Sequence, residues 1–327
     1  MIASLLCSLF LLKNSGASTQ PRIAVLTDAL FSDAGWGAFS YNAGQEIINK
    51  HGYQVNFLDN VSIPDIEKTL RNYAESGNNL IICQGFEWGD PALKVAKDFP
   101  NTKFLVFTGT VKSENVASIF PRQHEAAYLL GALASMMSKT HIIGFVGGDK
   151  KYPNLNNIYE GYKQGAMSLN PSTKVLVDYV GDWDSPSKGR QAALSQIDAG
   201  ADFLLHVADT SGQGVIQAAK ERGKFALGAV SDQNKLAPDT VVTSFILDED
   251  KAYEPIVKQV NDGKFVGKIY TPGLEATKNS TGDGIVTLAP FHGFENKIPN
   301  SYKQKINELA KEILDKKLIV KEMFNIS

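Results

Sequence analysis

The chain reads as an α/β protein built from two Rossmann-like lobes, each a parallel sheet covered by helices. Three observations predict this. At 327 residues it exceeds one ordinary core but suits two α/β lobes of roughly 120–150 residues each. From Arg22 onward, short β-rich runs alternate with longer amphipathic segments, the pattern of repeated βαβ units. Most of the short runs are unbroken stretches of Val, Ile, Leu and Phe, as expected of strands with helices packed on both faces.

Taken in order, strands are expected over 22–27, 54–58, 79–83, 103–108 and 116–120, then over 142–147, 174–180, 203–206, 225–229 and 241–245. Helices fill the gaps at 37–51, 63–76, 90–99, 122–139, 156–170, 186–199, 213–222, 249–262 and 302–316. Asp90-Pro91 and Asp184-Ser185-Pro186 each place a capping residue before a first-turn proline. Gly52, Gly77, Gly200 and Gly223 follow helices where a left-handed cap residue belongs. The first group of βα units ends near Phe120-Pro121, and the next opens with the 122–139 helix and the strand His-Ile-Ile-Gly-Phe-Val-Gly-Gly.

Composition narrows the function. Lys and Arg number 33 against 35 Asp and Glu, a formal charge of −2 that offers no basic field for a phosphate backbone, so nucleic acid is not an expected partner. Two cysteines, Cys7 and Cys83, cannot make a disulfide framework, and Cys83 falls in a run expected to be a buried strand. Residues 1–20 read as an apolar leader: the run 2–12 has the length of a signal-peptide core, and Gly16-Ala17-Ser18 offers small residues for cleavage, although no basic residue precedes Lys13. An exported protein follows, periplasmic, cell-surface or extracellular. Cys7 lacks the small residue that usually precedes an acylated cysteine; if it were acylated, the protein would associate peripherally with a membrane. Asn60-Val61-Ser62, Asn279-Ser280-Thr281 and Asn325-Ile326-Ser327 fit the glycosylation triplet, a pattern common by chance.

In open α/β sheets ligands bind beyond the carboxyl ends of the strands, so the loops that follow strands supply the candidates. After the first strand come Asp28, Phe31, Asp33, Trp36 and two glycines just before a helix, whose N-terminus offers free N–H donors. Trp36 either caps the packing of helix on sheet or presents a platform to a ligand. Gly85 and Phe86 follow the third strand, while Asp90 reads as a helix cap. In the second half Trp183 follows a strand, and Asp232 lies in a Ser-Asp-Gln turn. Two tryptophans, one per half, suggest two faces between which a flat aromatic ring stacks, each face contributing about 1–3 kcal/mol by analogy with bases on aromatic side chains. Nearby carboxylates accept from ring or exocyclic N–H groups. His206, alone at a strand end without a metal-spaced partner, reads as a structural hydrogen-bonder. No nucleophile elbow, phosphate loop, HExxH or kinase motif occurs, which points away from an enzyme and calls for no cofactor.

Six stretches in order carry a family resemblance over nearly the whole chain after the leader: IAVLTD, SDAGWGAFSYNAG, the run from Asn115 to Gly148, the run from Val177 to Ala208, GQGVIQAAKERGKFALG and SDQNKLAPDTVVTS. Together they resemble the basic membrane protein, or PnrA-like, family of ABC transporter substrate-binding proteins. The resemblance implies a type I periplasmic-binding-protein architecture, hinge closure on a ligand and delivery to an ABC permease. It also implies a lobe one of 21–121 plus 246–272 and a lobe two of 122–245 plus 273–327. Family members bind purine nucleosides with the base between one aromatic from each lobe, and Trp36 and Trp183 fall at those positions. Two departures concern the sugar: Val230 stands where the family usually has an acidic residue, and Leu247 where it has a lysine. Apolar side chains leave buried ribose hydroxyls without partners, which favours a nucleobase over a nucleoside. The Gly-Trp loop looks like the branch associated with adenine. A ligand-sensing ectodomain with the same cleft and a nucleoside-processing enzyme are the alternatives; a zinc deaminase would need HxE and PCxxC, which are absent.

Overall fold

The computed structural model describes residues 20–274 and 284–324. The leader, Cys7 and the Asn279 and Asn325 triplets lie outside those residues.

Lobe one begins with β1 (Arg22–Thr27), α1 (Trp36–His51), β2 (Gln54–Leu58), α2 (Ile66–Glu75), β3 (Leu80–Gln84), α3 (Gly89–Ala96), β4 (Lys103–Phe107) and β5 (Val116–Ile119). Lobe two follows with α4 (Gln123–Met137), β6 (Ile142–Gly147), α5 (Pro153–Leu169), β7 (Lys174–Tyr179), α6 (Pro186–Asp198), β8 (Phe203–Val207), α7 (Asp209–Glu221), β9 (Phe225–Gly228) and β10 (Val241–Leu247). The chain then forms α8 (Glu249–Ala252), α9 (Glu254–Asn261), β11 (Ile269–Tyr270), β12 (Val286–Leu288) and α10 (Asn300–Leu314). The ten expected strands and nine expected helical regions are present, shifted at their ends; 249–262 divides into α8 and α9. β11 and β12 are additions, each too short to stand out as a hydrophobic run.

Each lobe is a six-stranded sheet, ordered β11-β5-β4-β3-β1-β2 and β12-β10-β9-β8-β6-β7. The first is parallel throughout; in the second, only β12 runs antiparallel, against β10. Alternation along β1 explains the double-sided core. Ile23 and Val25 face the layer shared with α1, whereas Ala24 and Leu26 face α2 and α3. All four are fully buried, so a polar replacement at any of them strands a polar group in the core. The expected burial of Cys83 is met, and desolvation there pushes its thiol far up.

The chain crosses between the sheets after β5, after β10 and after β11. The expected lobe division put residue 246 in lobe one, but Ile246 and Leu247 still pair with Thr287 and Val286 of β12, so that crossing falls at Asp248. Two crossovers run side by side, with Phe120 N donating to Tyr270 O and Arg122 N to Pro272 O, both at 2.8 Å.

Gly52, Gly77, Gly200 and Gly223 all adopt positive φ at helix ends, as their placement predicts. Asp90 does not cap α3: it lies inside the first turn, Trp88 is at the cap position, and no side chain bonds there. Lobe two is held by glycine-mediated helix contacts. A Cβ at Gly131 of α4 would lie 1.9 Å from Tyr162 O of α5, and one at Gly165 of α5 would lie 1.9 Å from Tyr128 O of α4. Gly189 and Gly214 bring α6 and α7 together in the same way.

Candidate ligand-binding site

Strand order reverses around β1 in one sheet and β6 in the other, which opens a crevice at the carboxyl ends of β1 and β3, and of β6 and β8. Facing each other, the two crevices make one interlobe cleft lined from both lobes. Lobe one contributes Asp28 after β1, Trp36 at the start of α1, and Gly85, Phe86 and Glu87 after β3. Lobe two contributes Tyr152 and Asn154 after β6, Trp183 and Asp184 after β7, and Asp209 after β8. No lysine, arginine or histidine lines the cleft among the described residues.

Trp36 caps the packing of helix on sheet and also lines the cleft. Its ring lies on Phe39 at 6.1 Å with an interplanar angle of 19°, and meets Phe107 at 5.8 Å, while one side remains open to the cleft. Close approach of the loop requires Gly37, where a Cβ would lie 2.0 Å from Leu30 O. Opposite, Trp183 packs edge-on against Tyr152 at 5.3 Å, and Gly148 leaves room beneath it, since a Cβ there would lie 2.2 Å from the indole ring.

Asp33 is buried at 5% exposure and turns its carboxylate back on its own loop. One oxygen accepts from Gly35 N at 2.7 Å and Ala38 N at 3.0 Å, the other from Gly37 N at 2.7 Å. The N–H donors expected to be free at this helix end are therefore occupied, and the negative charge sits favourably at the positive end of α1. Phe31 lies outside the cleft: its ring packs on Tyr41 at 5.3 Å and Phe57 at 6.0 Å, and its N–H donates to Asp59. Asp232 is also outside, paired with His292 Nε2 at 2.7 Å and accepting from Asn234 N. Asp28, Gly85, Phe86 and Trp183 do meet in the cleft with Trp36.

Of the acids that shape the site's electrostatics, Asp28 is a candidate from the sequence, and Glu87 and Asp209 are not. Burial raises the Asp28 carboxyl above its usual range despite the neighbouring Glu87 and Trp88. Glu87 is raised well above normal by burial and by the charge of Asp28 beside it. Asp209, partly exposed to the cleft, is raised well above normal by desolvation and then by Asp33, Asp28 and Asp184. Asp209 has φ 45°, a left-handed conformation that Asp tolerates better than most residues. Both acids were within reach of the strand-end rule: Glu87 follows β3 and Asp209 follows β8.

His206 has the structural part expected of it. Its Nε2 faces Gln233 Oε1 at 2.8 Å, burial lowers its pKa to about 4, and it does not line the cleft. Val230 does line the cleft, with φ 70°, strained for a β-branched residue. Leu247 N donates to Val230 O at 2.9 Å, so the two departures from the family pattern are neighbours in space. Across the cleft mouth, Gln213 Nε2 donates to Asp33 O and Ser231 Oγ to Ala34 O, both at 3.0 Å, joining the lobes.

The family described as ABC transporter substrate-binding protein, PnrA-like, matches residues 20–323. A purine-binding protein of Brucella abortus is 32% identical, covering 86% of this chain and 77% of the relative. The transcriptional activator protein Med of Bacillus subtilis is 27% identical over 89% and 87% of the two chains. Basic membrane protein A of Borreliella burgdorferi is 26% identical over 94% and 90%. Among solved structures, a solute-binding protein of an ABC transporter system from Aeropyrum pernix superposes with a TM-score of 0.81 at 23% identity, covering 92% of this chain and 94% of that one, which establishes the shared two-lobed type I architecture. With that fold, and a match running from Gln20 to Met323, the chain belongs to the PnrA-like family of ABC transporter substrate-binding proteins.

Proposed function

We propose that the protein is an exported receptor that captures a purine between its lobes, a nucleobase such as adenine in preference to a nucleoside, and presents it to an ABC permease without altering it. The observation that carries this reading is the lining of the cleft: Trp36 and Trp183 from opposite lobes, carboxyls beside them, and no cationic side chain among the described residues. Aromatic walls suit a flat ring, and carboxyls suit its N–H groups. The lack of a cation disfavours nucleotides, whose phosphates need one. A purine-binding relative at 32% identity supports the same ligand class. Apolar Val230 and Leu247 support the sugarless preference. Delivery of ligand follows from hinge closure about the three crossovers.

A sensing role is the second reading, favoured by the resemblance to an activator protein. It predicts the same ligand and a different partner.

Calorimetry with adenine, adenosine, guanosine and inosine, followed by analysis of the recovered ligand, tests the proposal. Adenine is expected to bind tightest and to be recovered intact. Tighter binding of adenosine overturns the sugarless preference, and a converted product overturns the receptor role.

A further inference from the structure

The cleft gathers carboxyls from both lobes, and no cationic side chain lines it among the described residues. Asp28, Asp33 and Glu87 belong to lobe one, Asp184 and Asp209 to lobe two. The groups that act on Asp209 are all acidic, Asp28 and Asp33 from the loop after β1 and Asp184 before α6; Glu87, from the loop after β3, and Tyr152, before α5, line the same cleft and interact with each other and with Asp28. Two lysines near these loops in sequence are engaged elsewhere, Lys188 on Asp182 at 2.8 Å and Lys151 on Asp149 at 3.1 Å. No three acidic, histidine or cysteine side chains among the described residues are arranged to hold a metal ion. A second, independent observation concerns Gln123, at the N-terminus of α4. It is 3% exposed and lines the cleft, and its Oε1 has no hydrogen-bond partner.

We propose that the cleft takes up a proton as it closes on its ligand, shares it between the Asp28, Glu87 and Asp209 carboxyls and an accepting ring nitrogen, and thereby selects a neutral heterocycle carrying that acceptor beside an N–H donor directed to Gln123 Oε1. This rests on the purine reading above and specifies which edge of the ring is recognised. A protonated carboxyl donates through its O–H and accepts through its carbonyl oxygen, matching an acceptor beside a donor; an ionised one only accepts. Burial raises Asp28, Glu87 and Asp209, and the charge of neighbouring acids adds to it: Asp184 for Asp28, Asp28 for Glu87, and Asp33, Asp28 and Asp184 for Asp209. A carboxyl raised on closing favours the closed, liganded form at low pH, and that preference is lost as pH rises from the ordinary carboxyl range through the raised value.

The test is calorimetric titration of the wild-type protein with adenine in two buffers of different ionisation enthalpy, from about pH 5 to about pH 8, with affinity falling by up to about tenfold per pH unit for one linked proton. The observed enthalpy is expected to differ between buffers by an amount corresponding to net proton uptake. Glu87→Gln and Asp209→Asn are each expected to reduce both the uptake and the pH slope. Among 1-, 3- and 7-deazaadenine, the one lacking the accepting nitrogen is expected to lose affinity and proton uptake together. Equal enthalpies in both buffers and a flat pH profile, with adenine still bound, overturn the proton coupling and leave purine capture standing. No adenine binding at any pH overturns the purine reading and this inference with it. The wild-type buffer comparison decides the matter even where a variant fails to fold.

Discussion

The two walls of the cleft present a tryptophan each but hold it differently. In lobe one, Trp36 is the first residue of α1 and continues an aromatic stack through Phe39 and Phe107 to Tyr253, whose hydroxyl donates to buried Gln84 at 2.7 Å. In lobe two, Trp183 stands on a loop before α6, supported by Tyr152 and by the space over Gly148. Both rings are half-buried against the core, but the first extends a chain of core aromatics, whereas the second has one aromatic neighbour, Tyr152. Stability and affinity should therefore be coupled in lobe one and separable in lobe two.

Trp36→Ala should have the largest effect. Loss of the ring from its stack is expected to cost about 3 kcal/mol of folding stability, measured by denaturant unfolding, and a further 1–3 kcal/mol or so of adenine affinity. Trp183→Ala is expected to cost about 1–3 kcal/mol of affinity and no more than about 1 kcal/mol of stability. Equal stability losses for the two variants would break the comparison. Asp33→Ala should be smaller, about 1–2 kcal/mol of stability, because Gly35, Gly37 and Ala38 N–H lose their acceptor. Its unfolding midpoint, compared with that of Asp33→Asn, shows how much of the loss is the cap's charge.

The fold was legible because buried parallel strands are written as unbroken apolar runs, and helix ends as glycines that tolerate positive φ. β11 and β12 escaped because two or three residues carry no periodicity, and their pairing depends on a chain returning from the other lobe. The site was legible at the level of loops, less so at the level of side chains. Trp36, Trp183, Asp28, Gly85 and Phe86 reach the cleft, whereas Phe31 is drawn away by Phe57 and Tyr41, and Asp232 by His292, sixty residues on. Local sequence places a loop at the crevice; distant partners decide which of its side chains turn inward. Glu87 and Asp209 show the converse, since acids beside cap-like and turn-like residues resemble ordinary loop chemistry until two lobes meet around them.

The glycine seams of lobe two bear on how the molecule moves. Where Gly131 and Gly165 set α4 and α5 backbone to backbone, and Gly189 and Gly214 do the same for α6 and α7, no side chain lies between the helices to yield by changing rotamer. If the lobes close on ligand as proposed, each of these helix pairs is expected to move as one body about the three crossovers, so that probes on α5 and α6 read capture as a change of angle rather than as local rearrangement.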